Sequence, residues 1–467
     1  MSNQNDGVSL ADDPTAFFNH SVTEMGSIPR DELEALQLKA LQARFTSLRD
    51  KVPMLKKLAD EQSITELNTF DDVVPLLFEH TIYKSYPSSL LEKGRFTQIN
   101  KWLNKLSAHD LSSVDVSDCK SIDDWLMKME TETSLRICHS SGTTGTMSFL
   151  PHSEDEYDML GKAMTMTNLQ RFGEPISEAA VDVIFPNFRT GSGSSLRGND
   201  LMVKHISKGE ERFHAAYEGR MSSDVLYLAA RIRAAQSKGT LDRLQIDDNL
   251  LARKKEFEEV EANMPTHMAA FYSEKFEALR GRRVYISCPW NLLHDMAKAG
   301  LEQGQEAMFS SDSIVFTGGG SKGLVQPEGW EDDVCRFMGV SSLQMGYGMS
   351  EVMAIHPMCS HGHYHIVPWV IPFVLDPDTS KVLPRKGKVT GRAAFYGLLA
   401  RHAWGGFITG DEITIDWDTP CGCGQTSVHL DPVIQRFTDK TGDDDKITCA
   451  ATADAQAEAM TFLANFQ

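Results

Sequence analysis

Leu33, Leu36, Leu38, Leu41 and Phe45 recur at three- and four-residue offsets, which predicts a helix over Arg30 to Lys57 that Pro53 interrupts. Between Phe70 and Leu91 short apolar pieces alternate with Pro75 and Pro87, a helix–loop–helix pattern. Trp102, Leu103 and Leu106, then Trp125, Leu126 and Met129, read as helical core positions. Residues 1–130 thus read as a helical cap on a larger sheet, with nothing that suggests chemistry. The pattern then changes. Leu135-Arg136-Ile137-Cys138 reads as a strand end and Val181 to Phe185 as a buried strand. Asn187 to Asn199, rich in Gly and Ser, reads as a loop over a site. Val225 to Ala235 and Leu250 to Met264 read as helices. Val284-Tyr285-Ile286 and Ser313 to Phe316 read as strands, with a helix around Leu292 to Ala299 between them. Strand–helix alternation at this spacing predicts an α/β fold with a parallel sheet, whose ligands sit at the carboxyl ends of the strands. Ile366 to Ile415 reads as strand-rich, with turns at Asp376-Pro377-Asp378 and Pro384-Arg385-Lys386-Gly387.

Composition narrows the class. The chain has 467 residues, 41% hydrophobic and 24% charged, ordinary for a globular protein. A net charge of −19 repels nucleic acid and anionic membrane, so an anionic substrate needs a locally basic or dipolar site. No apolar run reaches spanning length, and the first residues lack a signal peptide's basic and apolar regions. The expected setting is the cytoplasm, with the eight cysteines reduced and available as ligands or nucleophiles.

Candidate chemistry concentrates in four stretches. Ser140-Ser141-Gly142-Thr143-Thr144-Gly145-Thr146 offers glycines that let the backbone approach a ligand, with hydroxyls and N–H groups to cradle phosphate. No Gly-Lys-Ser/Thr closes it, so it is not a Walker A loop. Thr317-Gly318-Gly319-Gly320-Ser321-Lys322-Gly323 follows a strand directly, and again suggests close backbone approach or a tight turn. In Tyr347-Gly348-Met349-Ser350-Glu351 an aromatic ring between glycines can stack on a purine, and the carboxylate suits Mg²⁺ beside phosphates. In Thr409-Gly410-Asp411 a carboxylate after a strand can accept both ribose hydroxyls. Separately, Cys359, His361, His363, His365, Cys421 and Cys423 have the chemistry of tetrahedral zinc, or of reduced thiols beside a His-rich loop.

In this order the stretches resemble the adenylate-forming superfamily, the acyl-CoA synthetases and their relatives. Its phosphate loop matches 140–146, its Tyr-Gly-x-Ser/Thr-Glu motif 347–351, and its Thr-Gly-Asp motif 409–411. Where the family loop continues Pro-Lys-Gly, this chain has Met147-Ser148-Phe149, so Lys322 is the candidate substitute for the missing lysine. The resemblance covers roughly residues 130–455. It implies parallel sheets flanked by helices plus a strand-rich part: a helical segment 1–130, an adenylation core 131–435 and a short tail 436–467, with the C-terminal lid domain missing or much reduced.

Two branches compete. Cys421-Gly422-Cys423-Gly424, and Arg436 with Asp439 as a hinge Arg-x-x-Asp, look like the phenylacetate–CoA ligases, which show a similar Cys…His…Cys-x-Cys set. That likeness favours Cys359, His365, Cys421 and Cys423 as a structural zinc site. Gly318-Gly319-Gly320-Ser321-Lys322 and His365 to Val370 followed by Leu375-Asp376-Pro377 resemble the acyl-protein synthetase of the bacterial bioluminescence fatty-acid reductase. Its acyl-accepting tail cysteine looks like Cys449. The shortness of the tail favours the second branch. The implied reaction is ATP- and Mg²⁺-dependent conversion of a carboxylic acid, expected to be a fatty acid, to acyl-AMP, then transfer to a cysteine of this chain, an acyl carrier or a partner reductase. Glu351 is the expected Mg²⁺ ligand. Asp411, Tyr347 and Arg436 are the expected nucleoside residues, with Gly348, Ser350 and Gly319 beside them. A lidless CoA ligase and a non-catalytic nucleotide-binding subunit are the alternatives.

Overall fold

The computed structural model describes residues 9–140, 146–175, 179–318, 326–437 and 459–463. Its strands are β1 Phe78–Glu79, β2 Cys138–His139, β3 Phe149–Leu150, β4 Asp182–Gly191, β5 Phe213–Met221, β6 Val284–Ser287, β7 Ile314–Gly318, β8 Gln344–Met349, β9 Ala354–Pro357, β10 Tyr364–His365, β11 Val370–Leu375, β12 Lys388–Gly397, β13 Gly406–Asp416, β14 His429–Leu430 and β15 Gln435–Arg436.

Among the described residues one sheet has the order β5-β4-β6-β7-β8-β9, parallel up to β8 and closed by antiparallel β9. Its central strands are apolar on both faces, as strands covered by helices on both sides must be. Val183, Tyr285 and Ile314 bury one face with the helix Ser223–Ser237. Ile184, Ile286 and Val315 bury the other, against the helices Trp290–Glu302 and Trp330–Met338. The second sheet, β10-β14-β13-β12-β11, is antiparallel, with β1 and β15 also paired to β13. The helix Arg30–Leu48 packs on it: Leu41 and Phe45 join its core, and the Gln37 amide donates to the carbonyls of Pro368 and Val370 at 2.8 and 3.1 Å. The expected architecture, parallel sheet flanked by helices plus a strand-rich part, is therefore present. No helix among the described residues is long and apolar enough to cross a membrane.

Two expectations need correction. Asn187 to Asn199 is not a loop. β4 continues to Gly191 because β5 pairs along it through Phe188↔Tyr217, Thr190↔Arg220 and Gly191↔Met221. The helix Ser194–Met202 then starts at the serines. β5 itself was illegible, since Phe213 to Met221 mixes aromatic, charged and small residues without strict alternation, as edge strands do. The helix expected at Leu250–Met264 is two: Asp248–Ala252, then Lys254–Ala270.

Candidate functional site

The strands β2 and β3 flank the hydroxyl-rich stretch in sequence and pair with each other, with Cys138 opposite Leu150 and His139 opposite Phe149. At its base the Ser140 N–H donates to the Ser148 carbonyl at 3.1 Å, and the Ser148 N–H to Ser140 Oγ at 3.2 Å. Thr146 is half-buried on the returning side. Ser141, Gly142, Thr143, Thr144 and Gly145 lie outside the described residues, as do Gly319, Gly320, Lys322, Asp439 and Cys449.

β8 carries Tyr347 to the carboxyl end of the parallel sheet, while β13 carries Asp411 in the other sheet. The two sheets meet at these residues. Tyr347 Oη donates to Asp411 Oδ2 at 2.9 Å, and the Arg436 guanidinium lies 3.4 Å from Asp411 Oδ1. Arg436 arrives through β15, where it pairs with Asp411 in register. Asp411 is buried, and its own N–H is fixed by Thr409 Oγ1 at 2.9 Å. Burial, then the Asp411 charge, pushes the Tyr347 phenol well above its ordinary range, so it stays a donor. The ring has His356, Tyr364 and Phe395 as neighbours, with centroids at 6.1, 6.1 and 6.2 Å. Gly346 and Gly348 serve the hairpin rather than an open space. A Cβ at Gly348 would stand 2.3 Å from the Ala354 carbonyl of β9, and one at Gly346 2.5 Å from Ile355.

Ser350 and Glu351 begin the turn from β8 to β9. Burial pushes the Glu351 carboxyl above its ordinary value; Arg436 and His80 oppose that, and Asp411 adds to it. Four expected residues, Tyr347, Glu351, Asp411 and Arg436, thus share one neighbourhood.

The helical cap contributes a residue that the sequence pattern hid. β1 runs parallel to β13, with Phe78 opposite Phe407 and Glu79 opposite Ile408, which brings His80 beside Thr409-Gly410-Asp411. Arg392 ties this corner together, donating to Glu79 at 2.8 Å, to His80 Nδ1 at 3.4 Å and to the Thr409 carbonyl at 2.7 Å. Only the topology signals His80, since a lone histidine after two strand residues has no diagnostic spacing.

Cys359, His365, Cys421 and Cys423 place one ligand atom each within 4.8 Å of all the others. Sγ of Cys359 and Cys421 are 3.7 Å apart, and Cys423 Sγ is 3.3 Å from His365 Nε2. Ligands on a tetrahedral zinc, about 2.0–2.3 Å from the metal, stand roughly 3.3–3.8 Å apart, and these two spacings fall in that range. His365 Nδ1 meets Ser427 Oγ at 2.9 Å, which leaves Nε2 to face the thiols. Burial lowers the imidazole to about 4, the neutral form a metal needs. Burial and the adjacent thiols push Cys421 up to about 12, a cost that a cation would remove. Both cysteine turns are closed by a left-handed glycine three residues on. Gly362 at φ 75° bonds back to the Cys359 carbonyl, and Gly424 at φ 90° to that of Cys421. His363 Nδ1 lies 3.6 Å from Cys421 Sγ, outside the four, and the His361 ring packs against Gly422.

Cys288 and Trp290 are buried at the end of β6, and the Trp290 ring meets that of Trp330 at 5.6 Å between centroids. Cys288 donates its N–H to the Phe316 carbonyl, so the ends of β6 and β7 lie side by side.

No family model and no curated protein matches the chain. Among solved structures it is similar to an open conformation of 2-hydroxyisobutyryl-CoA ligase in complex with 2-HIB-AMP and CoA. The TM-score is 0.50 at 11% identity, over 88% of this chain and 71% of that one. The same ligase in the thioesterification state gives 0.48 at 12% identity, over 88% and 69%. Apo MatB from Rhodopseudomonas palustris gives 0.34 at 14%, over 63% and 47%. The first likeness establishes a shared fold.

Proposed function

We propose that this chain activates a carboxylic acid with ATP to an acyl-adenylate and passes the acyl group to a thiol. The observation that carries the reading is the convergence of Tyr347 and Arg436 on Asp411, with Glu351 within electrostatic reach of both Arg436 and Asp411, in a fold shared with a ligase that holds an acyl-AMP. A carboxylate oxygen of the acid attacks the α-phosphorus, the bond to the β-phosphate oxygen breaks, and pyrophosphate leaves. A thiolate then attacks the acyl carbon and AMP leaves with the C–O electron pair. Asp411 accepts from the ribose hydroxyls, Tyr347 and Arg436 fix that carboxylate, and the 140–146 loop donates to phosphate oxygens. Glu351 would hold Mg²⁺, which when bound neutralises phosphate charge. The acid is a fatty acid and the acceptor is Cys449 or a partner's thiol. Both neighbours of the segment carrying Cys449 are anchored: Arg436 on Asp411, and Ala459, Met460 and Leu463 in the apolar layer over β4 and β5. Cys359, His365, Cys421 and Cys423 hold one structural zinc.

Acid-dependent ATP–pyrophosphate exchange across fatty and aryl acids tests the first step, with Asp411→Ala expected to lower it at least 100-fold, roughly 3 kcal/mol of charged hydrogen bonding. No exchange with any acid would leave a nucleotide-binding subunit. Labelled acid retained on the protein and lost in Cys449→Ala supports the tail acceptor. Rapid CoA thioester formation without protein labelling overturns it.

A further inference from the structure

His152 lies between the two halves of this site and belongs to neither motif. It follows β3, on the returning side of the phosphate-loop hairpin, and is 4% exposed. Its backbone is fixed at both ends: the Arg136 N–H donates to its carbonyl at 2.8 Å, and its own N–H donates to Leu150 at 3.0 Å. Its imidazole Nε2 lies 2.9 Å from the carbonyl oxygen of Ser350, 198 positions along the chain. A carbonyl only accepts, so Nε2 carries the hydrogen. Nδ1 is buried without a partner, so the ring keeps its place although one of its two nitrogens goes unsatisfied.

The turn it reaches is strained. The Ser350 carbonyl also accepts from the Met353 N–H at 3.3 Å, and Met353 has φ 52°, a left-handed conformation that a long side chain rarely adopts. Such a conformation is unfavourable and persists only where surrounding contacts hold it. Val352 and Met353 are both buried, and the Val352 carbonyl comes so close to Gly397 that a Cβ there would stand 2.4 Å away. Glu351 therefore rides on a turn pressed by β12 on one side and held by an imidazole on the other.

We propose that His152 is a positioning residue for Glu351. Its Nε2–H pins the Ser350–Met353 turn to the strand β3 side of the β2–β3 hairpin, which fixes the backbone that carries Glu351. This deepens the adenylation reading and rests on it. The test measures binding of Mn²⁺·ATP by electron paramagnetic resonance, and of metal-free ATP by calorimetry, to the purified full chain. His152→Ala is expected to weaken Mn²⁺·ATP about 10- to 100-fold, the range for partners that orient metal ligands, and to leave metal-free ATP within about threefold. His152→Gln, whose amide N–H reaches the same carbonyl, is expected to restore most of the loss. Should His152→Ala not fold, His152→Asn, whose amide falls short of Ser350, serves as the loss variant. Equal weakening of both nucleotide forms, or no weakening, overturns the inference. A wild-type chain that binds neither form overturns the adenylation reading itself.

Discussion

Glu130 is a half-buried carboxylate shared by two arginines. It accepts from Arg197, from Arg220 at 3.0 Å and from Ser192 at 3.3 Å, and Arg197 also holds the Ile137 carbonyl just before β2. Burial alone would raise its pKa, but Arg197 and Arg220 outweigh that and hold it below the ordinary 4.5. A depressed folded value means the stabilisation is complete above 4.5 and disappears as pH falls below it through the folded value. Glu130→Gln is expected to lose about 1–2 kcal/mol at pH 7, since two half-buried arginines then share a neutral and weaker acceptor. Urea midpoints measured from pH 7 down to pH 3 should show the gap to wild type closing on the acid side. Residues differed in how far sequence exposed them. Tyr347, Glu351 and Asp411 announce themselves through spacing within short motifs. His80 and His152 are single histidines whose partners lie hundreds of positions away, and no local pattern encodes a contact of that kind.

At the scale of elements, the Cys359–His365 hairpin and the Cys421–Gly424 turn hang from the two strands that define the site: the first follows β9, the partner of Tyr347's strand, and the second follows Asp411's. The proposed zinc between them would brace β8–β9 against β13. Removing it by chelation, or Cys421→Ser, should lower the thermal midpoint by several degrees and weaken nucleotide binding together, with metal analysis giving about one zinc per chain before and none after. Strands with apolar runs, Val284 to Ser287 and Ile314 to Gly318, were legible because burial on both faces leaves little room for polar residues. β5 and the helix Ser194–Met202 were not. The first is an edge whose pairing is decided by β4, and the second begins in a Gly/Ser run that fits a loop equally well. The cysteine pair was legible, and the geometry adds why each glycine sits three residues after its cysteine.

Over the whole molecule, contacts join distant parts of the sequence. Met460 is 1% exposed within the layer over β4 and β5, and Thr461 donates to Glu261 on the helix Lys254–Ala270. Met460→Ala should therefore cost about 2 kcal/mol or more, read as a lower urea midpoint with an unchanged slope. At the other end, Phe78 and Glu79 complete the sheet of β13, Thr426 donates to the carbonyl of Gly26 at 3.1 Å, and the helix Arg30–Leu48 buries its apolar side on β11 and β12. Such pairings are invisible to periodicity, which reports that a helix has an apolar face but not what covers it. They also set a timetable. On the ribosome the helix Arg30–Leu48 must wait while about 350 more residues are made, at 5–20 residues per second roughly 20–70 s, before β11 and β12 both exist. Through that interval Leu41 and Phe45 lack the strands β11 and β12 that share their core cluster, so the nascent chain exposes apolar surface that the folded protein buries.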